Sequence, residues 1–103
     1  MTGQTKRALT YNQLIGIGFD TMAYSFPIEG GVFIGALTAK CWGTKRNLTC
    51  YFDLDNGDKI KLNTWWEQNY MDIDILPVGT SVKLTMEKNK KGFISLTDIE
   101  VLE

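Results

Sequence analysis

The sequence predicts a mainly β protein with five short strands, preceded by a partly helical N-terminal segment. Residues 48–54 and 81–87 alternate between apolar and polar side chains, which is the two-residue period of a strand with one buried face. The clusters Asp55-Asn56-Gly57-Asp58 and Asn89-Lys90-Lys91-Gly92 follow these runs and are typical of tight turns. Several short strands separated by turns at regular intervals predict a small barrel.

Length and composition indicate one domain. A chain of 103 residues can bury a single core without metals or disulfides. We divide it into an N-terminal extension, residues 1–29, and a β-region, residues 30–103. No apolar stretch approaches the about 18 residues of a membrane span, so we expect no membrane contact. The first residues lack the apolar segment of a signal peptide, and we expect a cytoplasmic protein.

The extension contains one helix signal. Thr10 and Gln13 have the spacing of a capping box, which predicts a short helix within residues 10–24. Phe26 precedes Pro27, and a residue before proline is disfavoured in a helix. We expect this segment to pack over one opening of the barrel.

The first strand is predicted over residues 31–43. Gly35 in its middle predicts a bend or bulge, which the first strand of a barrel needs where it curls to pair at both ends. A hairpin turn at residues 44–47 would pair Cys41 with Cys50 and place Lys40 opposite Tyr51. We expect both cysteines to be buried and reduced.

The remaining strands follow from two further turns. Asn56-Gly57 favours a type I′ hairpin turn into a third strand at residues 59–64. Residues 65–75 break the alternation and allow one or two helical turns. A last hairpin turns at residues 89–92, and a change of apolar phase predicts a bulge near Thr97-Asp98.

The predicted core consists of the inward-facing apolar residues of these five strands. They are Ile34, Leu37, Leu48, Cys50, Phe52, Leu54, Ile60, Leu62, Val82, Leu84, Met86, Ile94 and Leu96.

A three-stranded meander, a linking segment and a final hairpin resemble the OB-fold, the five-stranded oligonucleotide/oligosaccharide-binding barrel, over residues 30–102. The stretch from Gly79 to Phe93 is similar in style to the final hairpin of that fold. The resemblance implies binding loops at residues 44–47 and 88–91, with a stacking face on the outer side of the second and third strands. An SH3-like barrel is the alternative, but the long first strand and the insertion after the third strand favour the OB-fold.

The placement of positive charge predicts a nucleic-acid binder. The chain has a formal net charge of −1, so contact with a polyanion needs a local patch. Aromatic rings and lysines on one face suit single-stranded nucleic acid, because rings stack on bases and lysines neutralise phosphates. The candidate binding residues are Lys40, Trp42, Lys45, Arg46, Tyr51, Lys59, Lys61, Lys88, Lys90 and Lys91. Alternatively, Trp42 and Tyr51 cover a barrel edge or the N-terminal segment, and the lysines keep edge strands soluble.

A different class of function stays open. A small acidic module could bind a basic partner protein, as an accessory subunit or as a phage- or plasmid-type inhibitor of a nucleic-acid enzyme. Its candidate residues are Asp53, Asp55, Asp58, Trp66, Glu67, Tyr70, Asp72 and Asp74.

We expect no enzymatic activity, no cofactor and no metal site. The sequence contains no histidine, which removes the commonest general base and most zinc sites. The aspartates at residues 53–58 lack the spacing and final glutamate of a calcium loop. No glycine-rich phosphate loop is present in the sequence.

Overall fold

The structure, a computed structural model, describes residues 9–42, 48–64 and 76–102. It is mainly β, as predicted, with five antiparallel strands preceded by one short helix and one turn of 3-10 helix. The elements are the helix α1 (Tyr11–Gly16), the 3-10 turn (Thr21–Ala23), and the strands β1 (Gly31–Trp42), β2 (Leu48–Leu54), β3 (Lys59–Thr64), β4 (Ser81–Lys88) and β5 (Ile94–Leu102).

The five strands form one sheet in the order β3-β2-β1-β4-β5. The long strand β1 links the two halves, because residues 35–42 pair with β2 and residues 31–36 pair with β4. The predicted pairing of the first strand at both ends is therefore confirmed. Within the described ranges no ladder joins β3 to β5, so the sheet is barrel-like and not closed.

Gly35 lies at the point where β1 changes partners. A Cβ atom there would be 2.5 Å from the carbonyl oxygen of Asp53, so the close approach of β1 and β2 requires glycine. The register shift, however, lies between Leu37 and Ala39. The bulge residue is thus Thr38, three positions after the glycine that predicted it.

The bulge changes the register of the first hairpin. Cys50 pairs with Lys40, and Cys41 pairs with Thr49, so the predicted pairing of Cys41 with Cys50 is wrong by one residue. The hairpin loop is also longer than predicted, since five residues separate the paired Trp42 and Leu48. Both cysteines are buried thiols.

The turn between β2 and β3 differs in type from the prediction. The Gly57 N–H donates to the Leu54 carbonyl at 3.0 Å, so Asp55 and Asn56 are the central residues. Gly57 follows with a φ of 97°. The Leu54 N–H donates to the Asp58 carbonyl at 2.8 Å and closes a three-residue loop. This is the bulged hairpin turn and not the predicted type I′ turn.

The barrel interior contains the main core. Eleven of the thirteen predicted core residues are buried, Ile94 is half-buried, and Leu76 joins them from the segment before β4. Ile34 is 45% exposed, so its prediction as a core residue is wrong. Ile34 pairs with Lys83, whose neighbours Val82 and Leu84 point inward, and cross-strand partners share a face.

The bulge predicted near Thr97-Asp98 is confirmed. Thr85 pairs with Asp98 and Met86 pairs with Leu96, so Thr97 is the extra residue of β5. Its hydroxyl donates to the Thr85 carbonyl at 3.1 Å. The bulge brings both apolar runs of β5 onto the interior side of the sheet.

The N-terminal segment packs on the outer face of β1 and β2, not over a barrel opening as expected. Thr10 and Gln13 form the predicted capping box, and α1 ends at Gly16. Leu9 forms a parallel bridge to Cys41, and Ser25 forms another to Ile60 on the edge of β3. The segment therefore crosses three strands. It buries a second cluster, which consists of Leu14, Tyr24, Ala39, Cys41 and Tyr51.

Candidate nucleic-acid interface

Lys40 is not on the outer face where it was predicted. The bulge at Thr38 turns its side chain to the interior side, where it is 2% exposed. Its ammonium donates to the Leu76 carbonyl at 2.8 Å. The predicted exposure of Lys40 is therefore wrong, and its buried ammonium group is not accessible to a nucleic acid.

Tyr51 lies on the predicted face, but the N-terminal segment covers it. It is 4% exposed, and its ring centroid lies 5.1 Å from that of Phe19 and 5.3 Å from that of Tyr24. Burial raises the pKa of the Tyr51 hydroxyl. The alternative role considered for Tyr51, a contact with the N-terminal segment, is the one observed.

Trp42 ends β1 at the rim of the sheet and is 37% exposed. Its backbone N–H donates to the Leu9 carbonyl at 2.9 Å, so the N-terminal segment also holds this end of the strand. The loop that follows contains two predicted contacts, Lys45 and Arg46, which lie outside the described residues. Trp66, Glu67, Tyr70, Asp72 and Asp74 lie outside them as well.

Lys59 is part of a network on the outer face. Its ammonium lies 3.2 Å from Asp53 Oδ2, and the Tyr24 hydroxyl donates to Asp53 Oδ1 at 2.5 Å. The Tyr24 hydrogen bond, followed by the Lys59 contact, lowers the pKa of Asp53, although partial burial opposes this. Burial and the Asp53 carboxylate raise the pKa of Tyr24. The network attaches the N-terminal segment to β2 and β3.

The turn between β4 and β5 presents a basic cluster. Asn89 organises it, because its Oδ1 accepts hydrogen bonds from the backbone N–H groups of Lys91 at 2.9 Å and Phe93 at 3.0 Å. Gly92 has a φ of 87°, which glycine adopts without strain. Lys88, Lys90 and Lys91 are all exposed. The turn therefore holds its lysines and Phe93 on a fixed backbone.

A groove of about 700 Å³ lies between this turn, β3 and residues 26–28. We call it the main groove. Two exposed aromatic rings line it, Phe26 at 53% and Phe93 at 67% exposure. The other lining residues are Pro27, Ile28, Leu62, Asn63, Lys88, Asn89, Gly92, Ile94 and Ser95.

Lysines lie around these rings. Lys88 lines the main groove, and Lys90 and Lys91 extend from the adjoining turn. The Lys61 ammonium lies 4.9 Å from the centroid of the Phe26 ring, a cation–π contact. The main groove thus combines two aromatic platforms with positive charge.

Phe26 and Phe93 are the residues that the sequence analysis missed as binding candidates. Both lie outside the alternating strand runs, so periodicity does not predict which face of the sheet their side chains lie on. The available signal was that Phe93 directly follows the Lys90-Lys91-Gly92 turn. An aromatic residue next to a basic turn is a signal for nucleic-acid contact even without strand periodicity.

The acidic candidates lie around the other tight turn. Asp55 and Asp58 are exposed there, whereas Asp53 is bound to Tyr24 and Lys59. In the described residues no three acidic, cysteine or histidine side chains are arranged to hold a metal ion. Nor does any helix in this part of the chain have the length and apolarity to cross a membrane.

Comparison with known proteins gives no relative for this chain: no family model matches it, and neither does any curated protein or solved structure.

Proposed function

We propose that this protein binds single-stranded nucleic acid in the main groove, without catalysis and with little sequence preference. The observation that carries the proposal is the pair of exposed rings, Phe26 and Phe93, beside Lys61 and Lys88. Contact between a large aromatic side chain and water is unfavourable, and a base that stacks on the ring removes this apolar surface from water.

Stacking supports tolerance of sequence. Every base has a π-face, and one base on an aromatic side chain contributes about 1–3 kcal/mol. Asn63 and Asn89 also line the groove. Their amide groups can both donate and accept hydrogen bonds, but Asn89 Oδ1 and Asn63 Oδ1 already accept hydrogen bonds within the protein. Stacking, rather than base-edge recognition, is therefore the main contribution in this proposal.

The charge distribution supports a local electrostatic contact. With a net charge of −1, the whole chain does not attract phosphates, but Lys88, Lys90 and Lys91 form a local positive field at one end of the main groove. Binding should therefore weaken as salt rises, because phosphate contacts release counterions.

We also propose that the barrel-like sheet is of the OB type. The order β3-β2-β1-β4-β5, with β1 paired at both ends, supports this assignment. In that fold the ligand contacts the second and third strands and the loops beside them. Here the N-terminal segment occupies the outer face of β2, and the proposed ligand is displaced toward β3 and the β4–β5 turn.

The alternative, an acidic module for a basic partner, has less support among the described residues. Asp53 is engaged by Tyr24 and Lys59, which leaves Asp55 and Asp58 as exposed acidic groups of the turn. Two exposed carboxylates contribute little binding energy by themselves.

The test is a fluorescence-anisotropy titration with a labelled oligonucleotide of about 12 nucleotides, a length within the range that one OB-type site covers. Phe26→Ala and Phe93→Ala should each weaken binding by about 1–3 kcal/mol and leave the salt dependence unchanged. Val32→Ala is the matched control, because Val32 is 60% exposed and does not line the main groove.

Salt gives an independent criterion. Lys88→Ala should reduce the slope of log affinity against log salt by about 0.7, the value for one phosphate of a single strand. Lys83→Ala, which removes a β4 lysine that is ion-paired with Glu100 of β5, should leave the slope unchanged. Absence of binding at low salt, or binding insensitive to salt, contradicts the proposal.

A further inference from the structure

A second cavity, of about 330 Å³, lies beside the main groove. We call it the side cavity. Phe26, Pro27 and Ile28 line both spaces, so the two adjoin along this segment. The other lining residues of the side cavity are Ser25, Glu29, Phe33, Leu54, Asn56, Asp58, Lys59, Ile60 and Met86.

The lining of the side cavity is largely apolar, which suits the ring of a base. Leu54, Ile60 and Met86 are buried side chains of the barrel core, and Phe33 is half-buried. Ligand pockets combine such an apolar lining with a few polar groups and have volumes of about 300–1,000 Å³. Asn56 and Asp58 supply the polar groups, and a carboxylate accepts hydrogen bonds from the amino group of a base.

The charge at the side cavity is opposite to that at the main groove. Glu29 and Asp58 are exposed carboxylates in its lining, and the ammonium of Lys59 is bound to Asp53. Lys88, by contrast, lines the main groove. A phosphate is therefore favoured on the main-groove side of residues 26–28 and disfavoured on the side-cavity side.

We propose that the side cavity receives the terminal base of a single strand whose end carries a free hydroxyl group. This inference rests on the proposed function and specifies the ligand as the end of a single strand. An internal nucleotide has a phosphate on both sides, and one of them would lie near Glu29 and Asp58. A terminal nucleoside offers the base without the second phosphate, so only an unphosphorylated end satisfies both charge patterns.

The experiment compares four oligonucleotides of one sequence and length with an internal fluorophore. They are a linear strand with hydroxyl ends, the same strand with a 5′-phosphate, the same strand with a 3′-phosphate, and a circular form. The hydroxyl-ended strand should bind at least about fivefold more tightly than the circle and than one of the phosphorylated strands, because Glu29 and Asp58 repel the additional phosphate. The end whose phosphate weakens binding is the end that enters the side cavity.

Variants assign the preference to the side cavity. The double variant Glu29→Gln/Asp58→Asn should bind all four oligonucleotides with similar affinity, since the repelling charges are gone. Asp55→Asn should keep the preference, because Asp55 belongs to the same turn but does not line the side cavity. Both variants change only exposed residues and keep the size of each side chain, so they should fold as the parent does.

The outcomes separate the two proposals. Equal binding of linear and circular strands, with no effect of either end phosphate, overturns the end-binding inference and leaves the proposed function standing. A preference that survives in Glu29→Gln/Asp58→Asn also overturns it. Absence of binding to every oligonucleotide at low salt overturns both.

Discussion

The two tight hairpin turns of the sheet have the same backbone and opposite charge. In each turn a glycine N–H donates to a carbonyl three residues earlier at 3.0 Å, from Gly57 to Leu54 and from Gly92 to Asn89. Both glycines have positive φ, 97° and 87°. The β2–β3 turn contains aspartates, whereas the β4–β5 turn contains lysines. One local geometry therefore serves two surfaces of opposite charge.

The turns also differ in what surrounds them. The β2–β3 turn is close to the Tyr24–Asp53–Lys59 network that attaches the N-terminal segment. The β4–β5 turn is held from within by Asn89, and Phe93 beside it is exposed. The acidic turn lies between this packed surface and the side cavity, and the basic turn borders the main groove. Exchange of charge between them tests which difference matters.

The largest effect is expected from charge reversal. Lys90→Asp/Lys91→Asp should lower the affinity for an oligonucleotide at low salt by on the order of 3 kcal/mol, since a hydrogen bond to a charged group contributes about 1.5–3 kcal/mol. The reciprocal change, Asp55→Lys/Asp58→Lys, should strengthen binding by a smaller amount. Anisotropy titrations measure both. Equal effects of the two exchanges would show that net charge, and not the position of the basic turn, controls binding.

The next effect concerns the shared backbone. Gly57→Ala and Gly92→Ala should each lower the free energy of unfolding by about 1–2 kcal/mol, because a Cβ atom disfavours positive φ. Among the described atoms none lies within 4 Å of the Cβ position at either glycine, so both changes introduce conformational strain without a clash. Urea denaturation measures the two values, which should agree within error.

Gly16→Ala is the control for the glycine pair. Gly16 ends α1, has no positive φ and has an open Cβ position within the described structure, so alanine should leave stability unchanged or raise it by up to about 1 kcal/mol. A large difference between Gly57→Ala and Gly92→Ala would show that the two turns are not equivalent.

The smallest effect is a pH dependence of stability, and it concerns only the Tyr24–Asp53–Lys59 network beside the acidic turn. The pKa of Asp53 is lowered below its ordinary value of 3.8, mainly by the Tyr24 hydrogen bond. A lowered folded-state pKa contributes stability above the ordinary value, and this contribution is lost as the pH falls through the folded-state pKa. The stability difference between the parent and Asp53→Asn should therefore be present at neutral pH and shrink below about pH 3.8.

Two variants test the cause of this pH dependence. Tyr24→Phe should remove most of it, because Tyr24 is the main hydrogen-bond donor to Asp53. Asn89→Ala in the basic turn should cost about 1 kcal/mol at every pH, because an amide does not titrate in this range. Denaturation curves from neutral to acid pH measure all three variants, and an Asp53→Asn effect that persists unchanged in acid would contradict the assignment.

Most of the fold was predictable because local chemistry and long-range packing agree. Strands β2 and β4 alternate strictly, so their inward residues Phe52 and Leu84 were identified from period alone. The bulge near Thr97 was predictable because it changes the phase of the apolar residues. The bulge at Thr38 leaves no such trace, since Ala39 and Cys41 can face either side of a sheet.

The candidate site was less predictable, because it depends on the bulge at Thr38 and on the packing of the N-terminal segment. A lysine in a strand normally faces water, so the sequence predicts that Lys40 points outward, and only the one-residue shift in register reveals its interior position. Periodicity predicts the correct side of the sheet for Tyr51, but it cannot predict that Phe19 and Tyr24 cover the ring. Phe26 and Phe93 lie in connections, where side-chain direction depends on the whole fold.

The same shift in register determines the redox behaviour of the folded chain. Cys41 packs in the outer cluster with Tyr51, while Cys50 packs in the barrel interior with Phe52. The sheet therefore separates the two sulfur atoms, and oxidation cannot join them without opening the first hairpin. A thiol titration under native conditions should find both groups protected, and disulfide-linked species should form only from unfolded chains.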